Sequence, residues 1–166
     1  MYKYLECENH MKLTDLITEK TIIAEFKSKN KTDIINELID LFKDDPRVTN
    51  LEKIRETVLE REKIMSTGVG KNFAIPHGKT DAVSEVICAF GRSTHPIEYK
   101  SLDDQPVHLV FLIVGQDSQV STHIKLLSRI SRMMTNDDFR TKLIGAKATE
   151  EILAMFKTEE ADYIEL

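Results

Sequence analysis

Residues 61–79 read REKIMSTGVGKNFAIPHGK, and we take them as the segment around which the rest of the chain is organised. The segment leaves the charged end of a predicted helix, passes through a glycine-containing turn, becomes apolar and stops at Pro76-His77-Gly78. Proline fixes its own φ and favours an extended Ile75, while glycine lets a backbone or ligand approach closely. His77 is therefore expected on a rigid lead-in beside open space, which suits a nucleophile. A lone histidine is otherwise more often a surface residue or a satisfied core residue.

Composition and charge limit the classes of protein open to this chain. Its 166 residues fit one domain with a hydrophobic core, and 41% apolar with 31% charged residues is an ordinary balance for a soluble protein. No apolar run reaches the length of a membrane span, and the first residues lack a signal-peptide pattern, so we expect no direct membrane insertion. The net charge is −5 and the basic residues are scattered, which argues against nucleic acid binding.

The cysteines and histidines favour neither a metal site nor a redox site. Cys7 and Cys88 lie far apart, and two free thiols without a secretion signal favour a reducing, cytoplasmic location. The sequence has no Cys-x-x-Cys pair, and its five histidines show neither His-x-His nor His-x-x-x-His spacing. We therefore expect no metal and no cofactor.

Several polar residues are placed to begin helices. Asn30 is predicted to begin one helix, and Thr49 or Asn50 to begin a second that runs to about Lys63 and puts Arg61 in its last turn. Three more helices are predicted to begin near Ser121 or Thr122, at Asn136 and at Thr149.

Strand signals alternate with these helices. Residues 107–114 are nearly all apolar, so we place them as a central strand covered on both faces. Other strands are predicted over residues 21–26 and 84–90, followed by a turn over 91–94 and a short extended piece over 96–99. Interleaved strands and helices without a fixed repeat indicate an α/β fold, with one sheet and helices on both faces.

Both ends of the chain are predicted to lie outside the folded unit. Residues 1–12 mix charged, polar and apolar side chains, and we expect them to form a loosely held leader. Residues 13–157 carry the helix and strand signals and form the predicted domain. Residues 158–166 are acidic, and we expect this tail to fray.

Three features of the 61–79 segment admit more than one interpretation. Residues 68–70 are an unlikely nucleotide loop, because Phe73 stands where a third glycine would be and no Gly-Lys-Ser/Thr follows. Thr67 either stabilises the turn or donates its hydroxyl to a phosphate. Arg61 either complements the helix dipole or directs its guanidinium at phosphoryl oxygens.

Several short motifs resemble a known family. The series Arg61-Glu62, Ser66-Thr67-Gly68 and Ala74-Ile75-Pro76-His77 resembles the signature of the enzyme IIA domains of the fructose/mannitol class, which belong to the phosphoenolpyruvate-dependent sugar phosphotransferase system. The nitrogen-regulatory branch is the most similar, because Ser-Thr-Gly-x-Gly and Ile-Pro-His-Gly-Lys occur together there. Asp104-Gln105-Pro106-Val107 and Thr122-His123-Ile124-x-x-Leu127 are similar to further family motifs. The resemblance implies a mixed sheet of about five strands flanked by helices on both faces.

The resemblance also implies roles for individual residues. His77 would be the phosphorylated residue, His123 the second imidazole of the site and Arg61 the arginine near the phosphate. Thr67 and the Gly78 amide would supply neutral hydrogen-bond donors. A neutral histidine can attack phosphorus, and transfer between two nitrogens requires no metal.

As a phosphotransferase component, the chain would accept a phosphoryl group from the histidine phosphocarrier protein. We favour a nitrogen-regulatory type of IIA protein that signals to a regulatory target, because the sequence carries no IIB domain and no membrane domain. One alternative is a stand-alone sugar-transport IIA component that passes the group to an enzyme IIB domain. Another is a binding module in which His77 is never phosphorylated.

Overall fold

The structure is a computed structural model that describes residues 11–164. Two 3-10 turns, Leu13–Asp15 and Glu19–Thr21, precede the first strand. The remaining elements follow in chain order: β1 (Ile22–Ile23), α1 (Lys31–Asp40), α2 (Leu51–Ile64), β2 (Gly68–Gly70), β3 (Phe73–Ala74), β4 (His77–Lys79), β5 (Ile87–Ile97), β6 (Val107–Gly115), α3 (Val120–Met133), α4 (Asp137–Gly145) and α5 (Thr149–Ile164).

Three asparagines begin helices as predicted. The side-chain oxygens of Asn30, Asn50 and Asn136 accept hydrogen bonds from backbone N–H groups three residues further on, at 2.9, 3.0 and 3.3 Å. Each bond satisfies a donor that has no partner within its helix. At the second helix the choice falls on Asn50, because the Thr49 hydroxyl instead donates to the Ala82 carbonyl.

A single mixed sheet of six strands organises the fold. Its order is β1-β5-β6-β3-β2, and β4 pairs with β6 beyond the end of β3. β5 runs antiparallel to β6, whereas β3 and β4 run parallel to it. The predicted central strand is therefore β6, and the predicted α/β class is confirmed with six strands instead of about five.

Two hydrophobic clusters cover the two faces of this sheet. Alternate side chains of β6 enter opposite clusters: Leu109, Phe111 and Ile113 on one face, Val110 and Leu112 on the other. One face is covered by α1 and α2, and the other by α3, α4 and α5. Because both faces are buried, β6 is almost continuously apolar. Helices on both faces were predicted and are confirmed.

Two strand predictions were wrong in extent. Residues 91–94 are not a turn but continue β5, in which Gly91 lies against the Phe26 ring and Arg92 is buried. The Arg92 guanidinium donates to the carbonyls of Ala24 and Ile144, both at 2.8 Å, so this polar residue is satisfied inside the fold. At the start of the chain, the strand predicted over 21–26 is limited to Ile22–Ile23.

The predicted acidic tail is mostly helix. α5 continues to Ile164, and Glu160 is only 1% exposed because it accepts hydrogen bonds from the backbone N–H groups of Leu13 and Thr14. The expectation that residues 158–166 fray is therefore wrong up to 164. Of the predicted leader, residues 1–10 lie outside the described residues. Within residues 11–164, no helix combines the length and hydropathy needed to cross a membrane.

Candidate active site

His77 and His123 meet at the carboxyl end of the central strand. His77 is the first residue of β4 and pairs with Ile113 of β6, while His123 lies in the first turn of α3, shortly after β6 ends at Gly115. Their ring centroids are 5.4 Å apart, with 56° between the ring planes. The structure thus brings together two imidazoles that are distant in sequence.

The His77 ring is held in one orientation by a backbone carbonyl. Its Nδ1 lies 2.7 Å from the carbonyl oxygen of Ile75, which can only accept, so Nδ1 carries the proton and Nε2 keeps its lone pair. Burial lowers the pKa of His77 and the Ile75 bond opposes this effect; among the nearby charges, Arg61 and Lys79 lower the pKa and Glu62 raises it. His77 is accordingly a neutral imidazole near pH 7, with Nε2 as its nucleophilic atom.

The His123 ring is buried without hydrogen-bond partners. It is 5% exposed, and neither of its nitrogens bonds to any other described residue. Burial, followed by the positive charges of protonated His77 and Lys79, lowers the pKa of His123 to about 4. A buried nitrogen without a partner is costly, and its position beside His77 suits contact with a group bound there. Gly115 lies against this ring, because a Cβ at that position would be 3.4 Å from Nδ1 of His123.

Arg61 lies in the last turn of α2, and its guanidinium uses only part of its N–H donors within the described residues. One guanidinium N–H donates to the Met65 carbonyl at 2.9 Å, which holds the side chain against the end of its own helix. Its remaining N–H groups have no partner among residues 11–164. Both interpretations of Arg61 are therefore compatible with its position: it caps a helix end and offers a cation close enough to lower the pKa of His77.

The geometry counts against Thr67 as a phosphate ligand. Its side chain is buried, and its hydroxyl donates to the Glu62 carboxylate and lies 3.0 Å from the Tyr99 hydroxyl. Its backbone N–H also donates to Glu62, at 3.0 Å. Thr67 thus stabilises the turn, which was the alternative interpretation of this residue.

Gly78 serves close packing, and its amide is turned away from the site. A Cβ at Gly78 would lie 3.0 Å from Cγ2 of Thr57, so glycine lets α2 approach β4. The Ile113 N–H donates to the Pro76 carbonyl and the Thr80 N–H donates to the Gly115 carbonyl, so the even-numbered residues of β4 face β6. The Gly78 amide therefore belongs to the sheet, contrary to its expected role as a phosphate donor.

Sequence reasoning missed the backbone donors that the sheet edge does offer. In β4 the N–H groups of His77 and Lys79 point away from β6, and neither has a partner within the described part of the chain. The alternation of a parallel strand could have identified them, once β4 was recognised as a strand. Lys79 adds a positive charge beside both imidazoles.

Exposed apolar side chains lie on the elements that carry the site. Met65 follows the last turn of α2 and is 60% exposed, and Ile124 follows His123 in α3 and is 59% exposed. Ile64 and Val120 are exposed as well. Such side chains beside a polar site are typical of a surface that binds another protein.

Comparison with known proteins assigns most of the chain to one family. Residues 15–159 match the description "Phosphoenolpyruvate-dependent sugar phosphotransferase system, EIIA 2". The fructose-specific EIIABC component of Bacillus subtilis is 37% identical over 86% of this chain, which spans only 22% of that relative. The fructose-specific EIIA component of Haloferax volcanii is also 37% identical, over 86% of this chain and 94% of the relative.

Two further similarities concern nitrogen regulation. A nitrogen regulatory protein of Bradyrhizobium diazoefficiens is 32% identical over 87% of this chain and 94% of the relative. The crystal structure of the nitrogen regulatory protein IIA-Ntr of Neisseria meningitidis superimposes with a TM-score of 0.81 and 24% identity, covering 87% of this chain and 98% of that one. This structural likeness supports the α/β fold.

Proposed function

This chain belongs to the EIIA 2 family of the phosphoenolpyruvate-dependent sugar phosphotransferase system, and on that premise we propose that it carries a phosphoryl group on Nε2 of His77. The observation that supports this function best is the paired arrangement of His77 and His123, 5.4 Å apart between ring centroids. One ring has its Nδ1 proton fixed by a carbonyl, and the other is a neutral imidazole without partners.

Transfer would join Nε2 of His77 to the phosphorus atom. The donor is a phosphohistidine of the histidine phosphocarrier protein, whose own nitrogen–phosphorus bond breaks as the new one forms. Each ring keeps the proton on its far nitrogen, so no base is required. Positive charge develops on the His77 ring during attack, and the Ile75 carbonyl at 2.7 Å stabilises it.

The surrounding groups would bind the phosphoryl oxygens. A neutral His123 can donate one N–H, and Arg61 has N–H groups that no described residue occupies. The edge-facing N–H groups of His77 and Lys79 add donors that need no reorganisation. Such fixed donors favour transfer mainly by positioning and by offsetting charge.

Intact-mass measurement tests the carrier function. The chain is incubated with phosphoenolpyruvate, the phosphocarrier protein and its kinase, and we expect the mass of one phosphoryl group to be added. His77→Ala should gain none, whereas His95→Ala, which changes an exposed histidine on β5, should gain it at the wild-type rate. A phosphoryl group on His77→Ala would refute the assignment, and no gain by the wild type would refute the carrier function.

The acceptor of the group distinguishes two roles. The resemblance of the motifs to the nitrogen-regulatory branch and the 32% identity to a nitrogen regulatory protein support the regulatory role. The 37% identity to a fructose-specific EIIA component of nearly the same length supports the alternative, transfer to the cysteine of a IIB domain. Mixing the phosphorylated chain with a fructose IIB domain decides between them: rapid loss of the group to IIB favours transport, and retention favours regulation.

A further inference from the structure

A buried carboxylate lies directly beside the site and has no part in the transfer described above. Glu62 follows Arg61 in the last turn of α2 but points inward and is only 7% exposed. Its carboxylate pairs with the Lys31 ammonium at 2.6 Å and accepts the backbone N–H and the hydroxyl of Thr67. A buried carboxylate with this many partners is strongly fixed in place, and so are the groups bonded to it.

Three successive hydrogen bonds connect Glu62 to His77 through Thr67 and Ile75. Glu62 accepts the Thr67 N–H at 3.0 Å, and the Thr67 carbonyl accepts the Ile75 N–H, also at 3.0 Å. The Ile75 carbonyl then accepts Nδ1–H of His77 at 2.7 Å. The middle bond closes the base of the β2–β3 hairpin, from which the chain continues into His77.

We propose that Glu62 is a positioning residue for His77: by fixing the base of this hairpin it holds the Ile75 carbonyl where it selects the Nδ1–H form of the ring and leaves Nε2 unprotonated. The proposal rests on the proposed function for its effect on rate, but the effect on the ring itself is independent of it. Lys31 and Tyr99 support the arrangement, because Lys31 bonds to the Tyr99 carbonyl at 3.2 Å and lies over its ring.

The chain contains a matched control for this carboxylate. Glu160 is also buried and also accepts two backbone N–H groups, those of Leu13 at 2.6 Å and Thr14 at 3.0 Å. It lies on α5, where it ties that helix to the first 3-10 turn. Removing either carboxylate leaves buried donors without partners and destabilises the fold, but only Glu62 is linked to His77.

The test compares Glu62→Ala with Glu160→Ala. Nitrogen-15 NMR of the imidazoles reports which ring nitrogen of His77 carries the proton, and the mass assay reports the phosphorylation rate. We expect mostly Nδ1–H in the wild type and in Glu160→Ala. In Glu62→Ala we expect a substantial population of rings with the proton on Nε2. We also expect a phosphorylation rate lower by about 10-fold or more, because a small displacement of the reacting nitrogen lowers the rate of transfer strongly.

The NMR result decides the proposal. A His77 ring in Glu62→Ala with the same proton position as in Glu160→Ala overturns it, whatever the rate. If the alanine variants do not fold, Glu62→Met and Glu160→Met fill a similar volume without an acceptor oxygen, and the same comparison is read between them. A wild type that is never phosphorylated refutes the carrier function, while the proton position still decides the role of Glu62.

Discussion

His77 and His123 have the same type of side chain, but their surroundings give the two imidazoles different properties. A carbonyl fixes the proton of His77, whereas His123 has no hydrogen-bond partner among residues 11–164 and a pKa lowered to about 4. A phosphoryl group on His77 would bring negative charge beside His123 and supply the acceptor that its N–H lacks. His123 is thus better matched to the phosphorylated state than to the unmodified one.

The low pKa of His123 predicts how stability depends on pH. An unfolded histidine binds its proton below about pH 6.5, whereas folded His123 resists protonation down to about 4. The stabilisation is therefore complete above about pH 6.5 and is lost progressively as the pH falls toward 4. Between about pH 7.5 and about pH 5, the free energy of unfolding should fall by about 2 kcal/mol more in the wild type than in His123→Gln.

Urea unfolding of both proteins at the two pH values measures this difference. Glutamine does not ionise, so the difference between the two proteins reports the titration of His123 together with its charge coupling to His77. Equal pH dependence in the two proteins would contradict a buried neutral imidazole at this position.

For single residues, the sequence predicted which residues lie at the candidate site better than it predicted what each of them contacts. The family motifs predicted His77, His123 and Arg61 as site residues, and the structure brings the two imidazoles together. Thr67 was predicted less well, because its hydroxyl is directed by Glu62 and Tyr99, and Tyr99 is 32 residues away. The role of the Gly78 amide depends on which side of β4 it faces, and the sequence of this three-residue strand does not determine that side.

At the scale of elements, the end of α2 supports both sides of the site. Two successive residues leave it in different directions: Arg61 remains partly exposed near His77, and Glu62 is buried against Thr67. Successive helical residues are about 100° apart around the axis, so neighbours can serve an outer and an inner function. A change in where α2 ends would therefore displace both the cation and the hairpin that leads to His77.

The continuation of β5 through residue 91 yields a prediction about stability. A Cβ on Gly91 would lie 2.1 Å from Cζ of Phe26, so Gly91→Ala forces the buried ring to move. Overpacking of this kind should lower the free energy of unfolding by about 2–3 kcal/mol. Adding Phe26→Leu to Gly91→Ala should recover part of that loss, because the smaller side chain makes room.

Gly145→Ala is the matched control for this change. A Cβ there meets nothing within 4 Å, and the residue ends helix α4, so the substitution should be neutral or stabilise by up to about 1 kcal/mol. Thermal or urea unfolding of the three variants measures these effects. Gly91→Ala as stable as the wild type would mean that Phe26 does not pack on β5 as described.

Local signals predicted elements well, and distant contacts explain the failures. The caps at Asn30, Asn50 and Asn136 depend on residues three positions away, so they could be read from the sequence. In the segment 91–94, which was predicted as a turn, Gly91 makes room for Phe26, 65 residues earlier in the chain. Arg92 is bonded to carbonyls in two other segments of the chain. Such long-range reasons leave no local pattern to read.

At the scale of the whole molecule, the two ends of the described chain hold each other. Glu160 on α5 accepts the N–H groups of Leu13 and Thr14, 147 and 146 residues away in sequence. Arg129 of α3 joins them, since it pairs with Glu160 at 3.6 Å and donates to the Met11 carbonyl. An acidic segment that looks like a solvated tail is thus part of the fold, because its partners are backbone donors that composition does not reveal.

The position of the site on the molecule predicts how a phosphoryl donor docks. His77 and His123 lie where β4 and α3 flank the end of β6, and exposed apolar side chains of α2 and α3 lie nearby. Ile124 is 59% exposed and lies next to His123 in the chain, and we expect a donor protein that reaches His77 to cover it. Ile124→Glu should therefore raise the KM for the phosphocarrier protein by about 10-fold, as expected for loss of a central apolar contact worth about 1.4 kcal/mol.

Two comparisons separate docking from chemistry in this prediction. Phosphoramidate, a small phosphoryl donor that needs no protein surface, should modify Ile124→Glu and the wild type at the same rate. Ala154→Glu places the same charge on an exposed position of α5, a helix that packs against β1 at the sheet edge opposite to β2, and should leave the KM unchanged. If Ile124→Glu slows both reactions equally, Ile124 supports the imidazole pair itself and the donor approaches over another surface.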